Sequence, residues 1–148
     1  MQHETPASVN LLFVCMGNTC RSPMAAAFAR KLLGKGATVQ SAGIAVTAIM
    51  PSLQAVKALQ LIYKTDISAH CPRPVQEFAL DGFTHIIALD SSVMTFLADR
   101  YPVIASKLYA WNIADPYGGN EAEYADCAAQ ILQRLQLWCA ETGLLPAP

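Results

Sequence analysis

Short apolar runs alternate along this chain with segments of helical periodicity, and that alternation limits its fold more than any other feature. Val9 to Val14 (Val-Asn-Leu-Leu-Phe-Val) reads as a buried strand. Ala37 to Ser41 predicts a second strand, Thr84 to Leu89 a third, and Lys107 to Trp111 a weaker fourth. Between them, Met24 to Leu33 is rich in alanine and leucine and closes at Gly34, which predicts a helix with Ser22 as N-cap and Pro23 in its first turn. Pro51 to Ile62 places Leu53, Val56, Leu59 (or Ala55) and Ile62 at helical spacing, and Ser91 to Arg100 predicts the helix after the third strand. Asn120 to Cys139 is the clearest helix. Asn120 caps it, Glu123 supplies the carboxylate at the third position, and Tyr124, Ala128, Ile131, Leu135 and Trp138 form one apolar stripe. Strands alternating with helices predict an α/β fold: a single three-layer α/β/α domain with a central parallel sheet of about four strands flanked by helices. The expected boundaries are a mobile N-terminal tail at 1–8, the domain at 9–142 and a C-terminal tail at 143–148.

Composition removes several classes of function. With 53% hydrophobic and 14% charged residues in 148, the chain is neither disordered nor a coiled coil. Ten Lys+Arg against eleven Asp+Glu give a net charge of -1, which speaks against nucleic acid as a partner. Gly36 to Val56 carries no charge, yet Gln40, Ser41, Thr47, Pro51 and Gln54 interrupt it, so no membrane association is expected. Met1 to Asn10 has no apolar signal core. Five cysteines, odd in number and irregularly spaced, fit a reducing, cytoplasmic compartment better than a disulfide framework.

Ligands of doubly wound sheets bind at the carboxyl ends of strands, and Cys15 to Arg21 (Cys-Met-Gly-Asn-Thr-Cys-Arg) follows the first strand directly. A loop between a strand end and a helix start turns backbone N–H groups toward one point, and the positive end of the helix adds to them. Gly17 and Asn18 tolerate the backbone angles such a nest demands. Arg21 adds a permanently charged fork suited to two phosphate oxygens. The cradle therefore reads as a phosphate site built from Met16, Gly17, Asn18, Thr19, Cys20, Arg21 and Ser22. At its start, Cys15 is placed as a nucleophile aimed at phosphorus, its thiolate favoured by the dipoles that bind the anion. With five Cys and five Arg in the chain, the Cys-x5-Arg spacing alone would arise by chance in roughly one case in five. The glycine and asparagine inside the loop, the serine after it, and the strand and helix around it give the spacing its weight.

Val14-Cys15-Met16-Gly17-Asn18-Thr19-Cys20-Arg21-Ser22-Pro23 resembles the signature of the low-molecular-weight protein tyrosine phosphatases, and Asp115-Pro116-Tyr117 resembles their second hallmark. The resemblance runs from about Val9 to Ala140 and takes in Ser41-Ala42-Gly43, His70 and the last helix. It implies hydrolysis of phosphotyrosine and small aryl phosphates through a cysteinyl-phosphate, with no metal and no cofactor. In that reaction Cys15 attacks, Arg21 and the loop hold the phosphoryl oxygens, Ser22 supports the thiolate, and Asp115 is general acid and then general base. Tyr117 would wall the pocket, while Asn18, Ser41 and His70 would hold the loop in shape. A Cys15–Cys20 disulfide would protect the nucleophile from over-oxidation. His85 and the cysteines Cys127 and Cys139 read as structural, His3 lies in the expected tail, and Cys71 has no evident partner. The implied partners are a phosphotyrosine protein or peptide and a tyrosine kinase, with phosphate and similar oxyanions as competitive inhibitors.

The sequence also departs from the family pattern. Gly43 to Pro51 carries no aromatic residue where many members have one, Met50 stands where an aspartate usually precedes the proline, and Gly118 replaces a second tyrosine. Thr19 resembles the protein-arginine phosphatase branch, in which a polar residue could position water against a labile P–N bond. Tyr117 and the helix from Asn120 favour the tyrosine branch. A third alternative, a thioredoxin-coupled arsenate reductase, shares the anion loop but needs two further cysteines close together on a mobile segment, whereas Cys71 is solitary. A catalytically silent anion-binding module would lack Cys15 or Asp115, and both are present.

Overall fold

The computed structural model describes residues 9–144. His3, the expected tail at 1–8 and positions 145–148 of the expected C-terminal tail lie outside the described residues. Four strands, β1 (Val9–Cys15), β2 (Ala37–Gly43), β3 (His85–Ala88) and β4 (Leu108–Ala110), form one parallel sheet in the order β2-β1-β3-β4. Four α-helices alternate with them: α1 (Arg21–Leu33), α2 (Leu53–Tyr63), α3 (Ser91–Arg100) and α4 (Glu121–Thr142). The chain leaves β1 for β2 on one side and returns to β3 on the other, so β1 sits where the strand order reverses. A crevice forms at the carboxyl ends of strands at such a point.

The alternation of side chains along β1 builds two cores from one strand. Leu11, Phe13 and Cys15 face the layer that contains α1, α2 and α4, with Met24, Leu59, Ile131 and Trp138. Leu12 and Val14 face the other layer, with Val93 and Leu97 of α3, Ile104 and Val75. All five apolar-stripe residues of α4 are buried, and Asn120 and Glu123 form the reciprocal capping box. His85 stacks on Tyr109 and meets the edge of Trp138, a packing position. Among the described residues no helix is long and apolar enough to cross a membrane.

Three local expectations differ from the structure. Ser22 does not cap α1: the helix starts at Arg21, Cys20 occupies the cap position, and the Ser22 hydroxyl is turned inward instead. Ser52, not Pro51, opens α2, its hydroxyl accepting from the Ala55 N–H. The buried side of α2 is Ala55, Ala58 and Leu59, while Leu53 and Ile62 project into solvent. Small residues on α2 let it lie close to α4, and that contact rotates its larger aliphatic side chains outward.

Candidate active site

Each part of the site lies at a strand's carboxyl end. The loop after β1 carries Cys15 to Arg21, the turn after β3 carries Asp90, and the segment after β4 carries Ile113 and Asp115. The Cys15 sulfur is nearly buried and has two polar neighbours, the Ser22 hydroxyl at 2.9 Å and the Asn18 N–H at 3.3 Å. Ser22 has one hydroxyl proton and two acceptors in reach, the sulfur at 2.9 Å and the Ala42 carbonyl at 3.3 Å. The closer is the sulfur. At the start of α1 the Arg21 and Ser22 N–H groups have no helical acceptor, Pro23 has no N–H, and the Met24 N–H bonds the Cys20 carbonyl at 3.1 Å, so the free donors of this turn are those nearest the loop.

Asn18 holds this loop. It is fully buried with φ of 57°, the left-handed region that asparagine tolerates better than other residues with a side chain. Its Oδ1 accepts the Arg73 N–H at 2.9 Å, which fixes the amide so that Nδ2 donates to Ser22 Oγ at 2.8 Å and to Ser41 Oγ at 3.0 Å. The Asn18 carbonyl accepts from His70 Nε2 at 2.8 Å, so that ring nitrogen carries a proton. Burial pushes the His70 pKa down and Arg30 adds to this, while the hydrogen bond to Asn18 opposes it. Gly43 packs against the same loop: a Cβ there would lie 2.8 Å from the Met16 carbonyl oxygen and 3.0 Å from the Asn18 nitrogen.

Arg21 is 2% exposed and is held from behind. Its Nη1 donates to Asp90 Oδ2 at 2.6 Å and to the Ile113 carbonyl at 2.9 Å, while Nη2 lies 3.7 Å from Asp115 Oδ2. Burial works against the guanidinium charge, yet the bond to Asp90 and the nearby Cys15 and Asp115 outweigh it and raise the Arg21 pKa. For Asp90, burial is likewise outweighed by Arg21, the Val93 N–H and Ser92, and its pKa falls. Asp115 is oriented by the Tyr117 N–H, which donates to its Oδ1 at 3.1 Å, leaving Oδ2 toward Arg21.

Above the loop opens a cleft of about 820 Å³, floored by Met16, Gly17, Thr19 and Cys20 and faced by Asp115 and Tyr117. Tyr117 is 87% exposed and Thr47, Ala48 and Met50 form the opposite side, so the cleft has one exposed aromatic flank. The loop is strapped to α2 by the Ser52 N–H, which donates to the Thr19 carbonyl at 2.9 Å. Among the described residues no group of three or more His, Cys, Asp or Glu side chains is placed to hold a metal ion.

The structure thus brings Cys15, the loop, Ser22, Arg21, Asp115, Ser41 and His70 to one place. Three neighbours escaped the sequence reading. Asp90 was visible only as a residue before a helix, because its partner is 69 positions away. Tyr124 belongs to the buried stripe of α4 and also lines the cleft. Cys127, read as a core thiol, donates to the Ala114 carbonyl at 3.9 Å and lies beside Cys20, and its proximity together with burial raises the Cys20 pKa far above its ordinary value. Cys71 is exposed and alone.

A family model described as low molecular weight phosphotyrosine protein phosphatase matches residues 10–143. A protein-arginine-phosphatase of Geobacillus stearothermophilus is 35% identical over 119 residues, 74% of this chain and 79% of that protein. An arsenate reductase of Brevibacillus brevis is 31% identical over 133 residues, 90% of this chain and 95% of that protein. Among solved structures, a low molecular weight protein tyrosine phosphatase from T. tengcongensis superposes with a TM-score of 0.83 and 32% identity, covering 90% of this chain and 99% of that one.

Proposed function

Since the chain belongs to the low molecular weight phosphotyrosine protein phosphatase family, we propose that it removes phosphate from a phosphorylated protein side chain through a cysteinyl-phosphate on Cys15, with phosphotyrosine as the first substrate. The observation that carries this reading is the sulfur of Cys15, which has the Ser22 hydroxyl at 2.9 Å and the Asn18 N–H at 3.3 Å, at the mouth of a loop whose arginine faces Asp115. In the first step the sulfur attacks phosphorus, the bond from phosphorus to the tyrosine oxygen breaks, and Asp115 gives that oxygen a proton. Arg21 and the loop N–H groups hold the three equatorial oxygens, where the transition-state charge spreads. In the second step the Asp115 carboxylate takes a proton from water as it attacks phosphorus, and Cys15 leaves as a thiolate supported by Ser22. Cys15→Ser is expected to abolish turnover while inorganic phosphate still binds. Asp115→Ala should slow aryl phosphates with poor leaving groups far more than those with good ones, and an equal loss on both would remove Asp115 as the acid.

Phosphoarginine is the second reading, and it draws on Thr19 in the cleft floor, on the lack of an aromatic side chain among Thr47, Ala48 and Met50, and on the arginine-phosphatase relative. Steady-state hydrolysis of matched phosphotyrosine and phosphoarginine peptides decides between them. Arsenate reduction is disfavoured because it needs a disulfide relayed outward, and Cys127, the cysteine beside Cys20, is buried while the exposed Cys71 has no cysteine partner. Cys20 is also proposed to protect the nucleophile: peroxide oxidises Cys15 to a sulfenic acid, and the Cys20 thiol displaces water to form the disulfide. Thiol-reversible inactivation by peroxide is expected to become irreversible in Cys20→Ala. The free thiols suit a reducing, cytoplasmic setting, in which a protein kinase would supply the substrate and phosphate-like oxyanions would compete with it.

A further inference from the structure

The exposed aliphatic side of α2 has an evident place in the molecule. A groove of about 230 Å³ runs between α2 and α4, walled by Ala58, Leu61 and Ile62 on one side and by Ala122 and Ala125 on the other. Gln54 lines both this groove and the cleft above the Cys15 loop, so the two adjoin at that residue. Leu61 is 69% and Ile62 53% exposed, and at the cleft end Met50 and Leu53 are also more than half exposed. Lys57 and Glu121 contribute one charge of each sign, which leaves the groove without a net electrostatic preference. Val103 and Leu137 are exposed singly elsewhere, whereas Leu61 and Ile62 are neighbours in the wall of a groove, and an apolar surface of that kind marks a contact site.

We propose that the α2–α4 groove seats the polypeptide of the phosphorylated substrate and selects proteins with an aliphatic side chain a few positions from the phosphorylated residue. This rests on the phosphatase reading, because the occupant follows from adjacency: a chain whose phosphorylated side chain enters the cleft can run out past Gln54, the residue that both cavities share. From Gln54 to Ile62 the helix advances by roughly 12 Å. An extended peptide covers that distance in about four residues. Allowing for the cleft itself, the selected aliphatic residue lies about four to six positions from the phosphorylated one. Half-burial of one leucine side chain there is worth about a tenfold preference.

The test compares peptide pairs, each in phosphotyrosine and phosphoarginine versions, that differ only in leucine or serine five positions before or after the phosphorylated residue. With the full chain, the leucine peptide of one pair is expected to have about tenfold higher kcat/KM, expressed in KM. Leu61→Ser/Ile62→Ser should erase that difference and leave hydrolysis of p-nitrophenyl phosphate unchanged. If that double variant loses aryl-phosphate activity, Ala122→Glu, which narrows the groove from the exposed side of α4, must erase the difference instead. Equal kcat/KM for both members of every pair, or a preference that survives in the variants, overturns the proposal. So does a wild-type dimer in sedimentation that Leu61→Ser/Ile62→Ser dissociates without any peptide preference, since a second copy then covers the groove. A wild-type protein that hydrolyses neither p-nitrophenyl phosphate nor any peptide overturns the phosphatase reading itself, and the docking proposal falls with it.

Discussion

Asp90 carries two duties with two oxygens. Oδ1 accepts the Val93 N–H at 2.9 Å and caps α3, while Oδ2 accepts from Arg21 at 2.6 Å. Because Arg21 is almost fully buried, its charge depends on that carboxylate, and the guanidinium is aimed by it. Asparagine is as good a cap as aspartate, so Asp90→Asn separates the duties. The cap survives, while the amide that replaces Oδ2 turns a donor toward a donor. The expected outcome is a fall of roughly 10- to 100-fold in kcat/KM and a loss of about 1–3 kcal/mol in stability from the under-satisfied arginine. Steady-state kinetics and urea denaturation read the two effects, and an unchanged kcat/KM would show that Arg21 needs no such aim. Asn18 is the other residue whose work exceeds what its position suggests. Its buried amide and carbonyl tie Ser22, Ser41, Arg73 and His70 to a single left-handed residue.

At the level of elements, the loop keeps its shape because β2 ends against it. Gly43 pairs with Cys15 across the two strands, its N–H donates to the Arg73 carbonyl at 3.0 Å, and its missing side chain leaves room for Met16 and Asn18. Val46 Cγ2 would also lie 2.8 Å from that Cβ and can turn aside, but the Met16 and Asn18 neighbours are backbone atoms that have no rotamer to yield. Gly43→Ala is therefore expected to cost about 1–3 kcal/mol and to lower kcat/KM together with phosphate affinity. Thermal melts and competitive inhibition by inorganic phosphate check this, and a variant equal to wild type in both would mean that the loop gives way freely. The helices differ in how plainly they announce themselves. The capping box and five-residue stripe of α4 are written in consecutive turns, so position and orientation were both readable. For α2, periodicity gave the helix but not its buried side, since several faces of Leu53–Tyr63 are apolar and the contact with α4 chose the one with alanines. Ser22 misled for a related reason. Serine before proline is a good helix opening, but here the hydroxyl has a closer partner in the Cys15 sulfur.

For the molecule as a whole, acid sensitivity follows from two histidines. Burial lowers the pKa of both His70 and His85 from 6.5 in the folded state. The unfolded chain then takes up protons first as pH falls, so stability is full above about pH 6.5 and declines below it until the folded-state histidines also titrate. The melting temperature should accordingly drop between pH 7.5 and 5.5. His70→Gln, whose amide can still donate to the Asn18 carbonyl, should make that drop shallower. The same slope in the variant would place the effect in other groups.

The sequence by itself determined the strand–helix alternation, the parallel sheet it enforces, the anion loop from Cys15 to Arg21, and the Asp-Pro-Tyr segment. Each of these is local: a run of apolar residues, a cap, a loop of fixed length. Only the tertiary structure decided that Asp115 faces Arg21, that Asp90 supports the same arginine, that Cys127 lies beside Cys20, and that the groove between α2 and α4 adjoins the cleft at Gln54. These are contacts between residues 69 to 107 positions apart, or between helix faces, and they exist because parallel strands bring distant loops to one edge of a sheet. Local preferences specify which elements form, and the packing of those elements specifies which side chains meet.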